Sequence, residues 1–185
     1  MIKAVIFDMD GVLIDTEPLH YRCWKEILKE HYDVEFDYDI YLPCIGSTRQ
    51  FFRDLVKEHY GVDFPDLDEM NRIMKVKKSQ IVKAEGFPEM PGVENALKQL
   101  KEMGYKLAVA SSSPESEIMD AMTRLGLMPY FDSITSGDHV EHPKPELDTF
   151  LLAAERLNVP TDNCLVIEDS TNGGRAALAA KMDCV

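Results

Sequence analysis

Positive charge is what this sequence has least of. Its 185 residues include 20 Lys and Arg against 33 Asp and Glu, a formal net charge of −13. Such a chain repels nucleic acid and anionic membrane unless a local basic patch overrides the balance, so neither is an expected partner. Any anionic ligand must be met by a few placed cations. Cysteine is scarce too. Cys23, Cys44, Cys164 and Cys184 form no CxxC pair, and three of them sit in apolar or aromatic surroundings that suit reduced, packed thiols. That disfavours a secreted disulfide scaffold and leads us to expect a cytoplasmic protein. No apolar run is long enough to span a bilayer, and no charged leader precedes an apolar core and cleavage site. Internal repeats and low-complexity segments are missing, and nothing in the sequence speaks to oligomeric state.

What is present suits one domain, or one domain carrying an insertion, with 45% hydrophobic residues to build a core. Ala4 to Phe7 is a short continuous apolar run, as in a strand buried on both faces of a parallel sheet. "KLAVAS" at 106–111 and "CLVIED" at 164–169 repeat that pattern, each preceded by a helical stretch, "GVENALKQLKEMG" and "ELDTFLLAAERLNV". "SEIMDAMTRLG" adds a crossover helix and "YFDSITSG" a further strand. This alternation predicts an α/β fold with a doubly wound, Rossmann-like parallel sheet.

Between Thr16 and about Glu85 the alternation stops, and "LHYRCWKEILKEHY", "TRQFFRDLVKEHYG" and "DEMNRIMKVKKSQIVKAE" all show helical periodicity. We therefore expect a core of residues 1–15 and 86–185 with an all-helical insertion at 16–85, "GFPEMPGV" being the hinge back into the core. "NGGRAALAAKMDCV" reads as a helix running into the start of a strand, so the sheet is expected to be cut short at Val185 with an edge strand missing.

Chemistry gathers at the ends of the apolar runs. Asp8 and Asp10 follow the first, and Glu168 and Asp169 follow the third. Ligands of open parallel sheets bind beyond the carboxyl ends of the strands. Paired carboxylates raise one another's pKa unless a cation neutralises them or one keeps a proton. An isolated DxDG is also a plain Asp-Gly turn. It is no EF-hand loop, since Leu13 stands where the sixth-position glycine belongs and a strand precedes it. Two acidic pairs at two strand ends, however, make a hard-cation site of the kind magnesium occupies beside a substrate phosphate. Ser111, opening "SSS" after the second run, can donate to a phosphate oxygen, and Lys144 in "HPKPE" can balance phosphoryl charge. Each has a blander reading, Ser113-Pro114 as a helix start and the lysine as solvated. His139 and His142 have no third ligand in view, so no zinc is assigned. Gly173-Gly174 follows no phosphate-loop pattern and suits close packing at a helix start.

The set "DMDGV", Ser111, Lys144 and "EDS" resembles, in order and in the elements that carry it, the haloacid dehalogenase-like superfamily. The insertion after "DTE" is similar to the small helical cap of its beta-phosphoglucomutase and phosphoglycolate phosphatase branch. The resemblance implies that Asp8 is a nucleophile forming an aspartyl phosphate and that Asp10 is the general acid and base. It implies magnesium held by Asp8, the Asp10 backbone carbonyl and Asp169, with Glu168 nearby, and a phosphoryl group held by Ser111 and Lys144. In the cap it points to Thr16, His20, Trp24, Arg49 and Lys77 as hinge, closure and substrate-contact residues. Arg49 could clamp a phosphate bidentately; Trp24 and His20 could equally turn an aromatic helix face into the cap's own core.

Three departures from the branch stand out. Phe52 replaces a serine usual in the sugar mutases, which suggests an apolar wall or plain packing. "KPELD" lacks a second proline, and Lys181 replaces a glycine at a helix C-cap. The expectation is a magnesium-dependent phosphatase of small phosphorylated metabolites, with sugar phosphates as the substrates the resemblance implies. A beta-phosphoglucomutase-type mutase is the alternative, and a non-catalytic phospho-ligand-binding protein the third reading.

Overall fold

Five short parallel strands carry the α/β part of the chain: β1 (Ala4–Phe7), β2 (Lys106–Ser111), β3 (Ser133–Ser136), β4 (Cys164–Ile167) and β5 (Asp183–Cys184). Their spatial order is β3-β2-β1-β4-β5. The computed structural model describes residues 1–45, 47–64 and 66–185. β1 lies at the centre, Phe7 pairing with Val109 on one side and Ile167 on the other.

The continuous apolar runs are explained by cover on both faces. Ala4, Ile6, Ala108, Ala110, Cys164 and Val166 point into one core with Phe150, Ala153, Ala154 and Leu157 of helix Asp148–Leu157 and Ala176 and Ala177 of helix Thr171–Ala179. The alternate residues Val5, Phe7, Leu107 and Val109 join Leu97 of helix Val93–Glu102 and Ile118, Ala121 and Met122 of helix Glu115–Arg124. A period-two backbone with helices on either side covers both rows of side chains along the central strands, so no polar alternation is selected.

The chain divides into two compact units, Met1–Asp15 with Phe87–Val185, and Thr16–Gly86. In the first, the strand-like return of the chain is anchored by hydrogen bonds from Asp15 N–H to Pro88 O (2.8 Å) and Met90 N–H to Leu13 O (3.1 Å). The second is helical: α1 (Thr16–Tyr32), α2 (Tyr38–Tyr41), α3 (Arg49–Tyr60) and α4 (Leu67–Glu85). The periodicity of the sequence gave no sign of α2, a single turn begun by the Asp37 side chain accepting from Asp39 N–H. Thr48 and Asp66 cap α3 and α4 in the same way, and Gly61 ends α3 at φ +68°. Trp24, Phe36, Phe52 and Phe64, all nearly fully buried, form this unit's aromatic core. We number the remaining helices α5 (Val93–Glu102), α6 (Glu115–Arg124), α7 (Asp148–Leu157) and α8 (Thr171–Ala179).

Helix α8 ends in a Schellman arrangement, with Lys181 N–H donating to Leu178 O and Met182 N–H to Ala177 O, both at 3.0 Å. Lys181 holds the left-handed position, φ +59°, that glycine takes without steric strain. Among the described residues no helix is long and apolar enough to cross a membrane. All four cysteines are free, and burial pushes the Cys23 and Cys164 thiols up to about 11.

Candidate active site

The site begins where β1 stops. Asp8 N–H donates to Ile167 O (2.9 Å), one last rung of the ladder, and the chain then turns sharply, Met9 O accepting from the N–H groups of Leu13 and Ile14. Asp8 is buried. Lys144 reaches in from the loop before α7, its Nζ 2.6 Å from Asp8 Oδ1 and 2.7 Å from Glu168 Oε2. Only 6% of its side chain is exposed, and it lies over the Phe150 ring at 4.6 Å. The blander reading of Lys144 as a solvated loop residue does not hold, because its side chain is buried against Asp8 and Glu168.

Glu168 is fixed by Lys144 on one oxygen and by Ser170 on the other, through N–H (3.1 Å) and Oγ–H (2.7 Å). Asp8, Glu168 and Asp169 each bring one oxygen to within 4.8 Å of the others. Two glycines make room for them. A Cβ on Gly173 would fall 1.9 Å from Glu168 Cδ, and one on Gly11, at φ +79°, would fall 2.0 Å from Asp169 Oδ2. The close packing expected of Gly173 is thus against an acidic side chain of the site, and Gly11 serves the site as well as the turn. Gly174, by contrast, has open space around its α-carbon.

Burial pushes the Asp8 carboxyl up to about 7; Lys144 opposes the rise, and Glu168 and Asp10 add to it. Asp169 is raised in the same sense, by burial and then by Glu168. Three carboxylates converging with one ammonium leave negative charge in excess, and an all-oxygen donor set fits a hard divalent cation. Asp10 has a different environment. Its side chain stands outside the trio, and its Oδ2 accepts from Ser113 Oγ–H at 2.9 Å. Ser111, buried at the end of β2, accepts the N–H of Ser113 at 3.1 Å. Ser113 therefore does not cap α6, whose N-cap position is taken by Pro114 with no side-chain bond.

The helical unit holds a cavity of about 430 Å³ whose lining includes Glu17, His20, Trp24, Tyr41, Arg49 and Phe52. The Arg49 guanidinium lies 5.3 Å from the Trp24 ring, held below its usual pKa by burial. Trp24 and Phe52 stack at 4.4 Å, so each both packs the core and walls the cavity. Thr16 opens α1 and is buried. Lys77 is not among the residues lining this cavity: it is buried on α4, and its Nζ meets both Glu30 carboxylate oxygens (2.7 and 2.6 Å) and lies 3.7 Å from Glu26. Sequence reading missed Glu17 and Tyr41, joined by a 2.9 Å hydrogen bond from the phenol to the carboxylate. His139 and His142 are engaged locally, His139 near Glu115 (3.3 Å) and His142 near Asp148 (3.3 Å).

The converging carboxylates stand beyond the central strands of a parallel α/β sheet, where open sheets of this kind bind their ligands. Residues 5–185 match the family described as haloacid dehalogenase-like hydrolase. The chain is 36% identical over 183 residues to the "Phosphorylated carbohydrates phosphatase" of Thermotoga maritima, covering 98% of this chain and 83% of that one. It is 34% identical to the "Fructose-1-phosphate phosphatase YqaB" of Escherichia coli, covering 98% and 94%. Among solved structures, the beta-phosphoglucomutase of Clostridium difficile superposes with a TM-score of 0.69 at 28% identity, covering 100% of this chain and 83% of that one. The chain belongs to the haloacid dehalogenase-like hydrolases. It is an enzyme acting on phosphate esters, in a family that is generally metal-dependent, and the non-catalytic reading is set aside.

Proposed function

We propose that the enzyme is a magnesium-dependent phosphatase of small phosphorylated metabolites, sugar phosphates above all, working through Asp8. The observation that carries this reading is the Asp8–Glu168–Asp169 trio with Lys144 inserted, beside an Asp10 carboxyl held apart from it. Asp8 attacks phosphorus while the ester P–O bond breaks, and Asp10 gives its proton to the departing oxygen. Water then attacks the aspartyl phosphate. Asp10 takes the water's proton, the acyl-phosphate P–O bond breaks, and the Asp8 carboxylate and inorganic phosphate are released. Ser111 and Lys144 hold the transferring phosphoryl, the lysine by charge and the serine by its hydroxyl. Magnesium bound by Asp8, the Asp10 backbone carbonyl and Asp169, with Glu168 alongside, would neutralise the charge that gathers on phosphoryl oxygens.

The helical unit acts as the cap, with the insertion at 16–85 serving specificity. Its cavity supports that assignment: Arg49 offers a planar, bidentate cation and Trp24 an apolar wall to the unreacting part of the substrate. His20 belongs to the same cavity. Thr16 sits at the start of α1 as the hinge residue, and Lys77 acts indirectly, through the α1–α4 packing. The net charge of −13 supports a small ester as substrate in place of nucleic acid, and the four free cysteines support a cytoplasmic location.

A phosphorus NMR time course tests the reading, with magnesium, a panel of small phosphomonoesters including beta-glucose 1-phosphate, and a trace of the matching bisphosphate. Growth of inorganic phosphate alone, abolished in Asp8→Asn, is the expected result. Growth of glucose 6-phosphate instead would establish the mutase, the second reading, which the beta-phosphoglucomutase likeness favours.

A further inference from the structure

Ser113 is tied on three sides. Its N–H donates to Ser111 Oγ (3.1 Å), its carbonyl accepts from Ser136 Oγ–H (2.7 Å), and its own hydroxyl donates to Asp10 Oδ2 (2.9 Å). Ser136 ends β3, is fully buried, and is itself fixed: its Oγ accepts from Asp138 N–H (3.0 Å), and its N–H donates to His139 Nδ1 (3.1 Å). The loops after β2 and β3 are held together by two more contacts. Glu115 N–H donates to Asp138 Oδ2 (3.1 Å), and Gly137 lies so near Ser112 that a Cβ there would come within 3.0 Å of the Ser112 carbonyl oxygen. The Ser113 hydroxyl thus has a rigid mount, from which it addresses Asp10.

We infer that Ser113 is a positioning residue for the Asp10 carboxyl, held in place by Ser136, and that it fixes that carboxyl by occupying Oδ2. The inference rests on the reading of Asp10 as acid and base. A hydroxyl donating to one carboxyl oxygen leaves the other free to meet the reacting oxygens. It also holds the carboxyl in one rotamer, and a near-attack geometry lost by 1 Å is felt strongly in rate. The backbone ties of Ser113 mean that its orientation is set by the protein before substrate arrives.

Leaving-group dependence separates this role from a structural one. An alkoxide leaving from a hexose 6-phosphate needs the acid proton; the nitrophenolate of p-nitrophenyl phosphate does not. Ser113→Ala should slow the first-turnover cleavage of the hexose phosphate by about tenfold or more while leaving the p-nitrophenolate burst within about twofold, as expected when a general acid is misplaced. Ser113→Thr, which keeps the hydroxyl, should restore the lost rate. Ser113→Cys, nearly isosteric but a weak donor, should behave like Ala. Equal slowing of both esters by Ser113→Ala, or no slowing of either, would overturn the inference. Asp10→Asn distinguishes its failure from that of the reading beneath it. If Asp10→Asn shows the leaving-group dependence and Ser113→Ala does not, the positioning role alone falls; if Asp10→Asn shows none, the acid reading falls and takes the inference with it.

Discussion

Gly173 stands where the addition of one carbon would strike Glu168, a Cβ there falling 1.9 Å from the carboxyl carbon. Helix α8 therefore carries a glycine in its first turn, where alanine would favour the helix by roughly 1 kcal/mol, because Glu168 occupies the space. Gly173→Ala should weaken magnesium binding by about tenfold or more, the range seen when a ligand's support is disturbed. Gly174→Ala, with nothing within 4 Å, should leave it unchanged. Calorimetric titration of both variants checks this, and equal affinities would show that Glu168 does not need its mount.

The raised Asp8 carboxyl makes a prediction about pH. Its folded value, about 7, lies above the ordinary carboxylate value, so folding favours the protonated form. On this group's account the metal-free fold is most stable below the ordinary carboxylate range, and that contribution is lost as pH rises through about 7. A divalent cation binds the ionised form. The gain in melting temperature on adding magnesium should therefore be small near about pH 5.5 and larger near about pH 8, where a hundredfold excess over Kd contributes about 2.7 kcal/mol. In Asp8→Asn the metal-free stability should lose this pH dependence. A magnesium shift that is the same at both pH values would contradict the assignment.

Arg49 should act on substrates with something to grip. Arg49→Ala is expected to raise KM for sugar phosphates by about tenfold, the loss of one bidentate charged contact, and to change kinetics on p-nitrophenyl phosphate little. Arg49→Lys should not restore the wild-type KM, because an ammonium offers neither the fork nor the stacking plane over Trp24. Unchanged kinetics on every ester would remove the guanidinium from substrate recognition.

Lys181 offers a gain in stability away from the chemistry. At φ +59° it occupies a conformation that costs a residue with a Cβ about 1 kcal/mol relative to glycine. Lys181→Gly should raise the denaturation midpoint by an amount approaching that figure, partly offset by the greater freedom of glycine in the unfolded chain. Urea melts of the two proteins decide the sign.

The sheet was legible in the sequence because its strands are covered on both faces. Ala4–Phe7 and Lys106–Ser111 coincide with the apolar runs, while the third run ends at Ile167, two residues early, where Glu168 and Asp169 leave the ladder for the site. The acidic cluster was legible for a similar reason: carboxylates at strand ends are anomalous beside a buried run. Ser113 was not. A serine before a proline has a common local explanation as a cap, and only the tertiary approach of β3 and Asp10 shows what it holds. The partner of Lys77 was not legible either, since a lysine on an amphipathic helix says nothing of whether a carboxylate of another helix will claim it.

The central position of β1 has a consequence for how the protein comes into being. β1 pairs with one strand that follows it by about a hundred residues and with another that follows it by about a hundred and sixty. Asp8 is thus made early and acquires its companions late, Lys144 and then Glu168 and Asp169. The acidic cluster cannot assemble until the strand beneath Glu168 has been laid beside β1. Until then the apolar faces and unpaired backbone edges of β1 lie open, and the interval is the one in which a chaperone has most to protect.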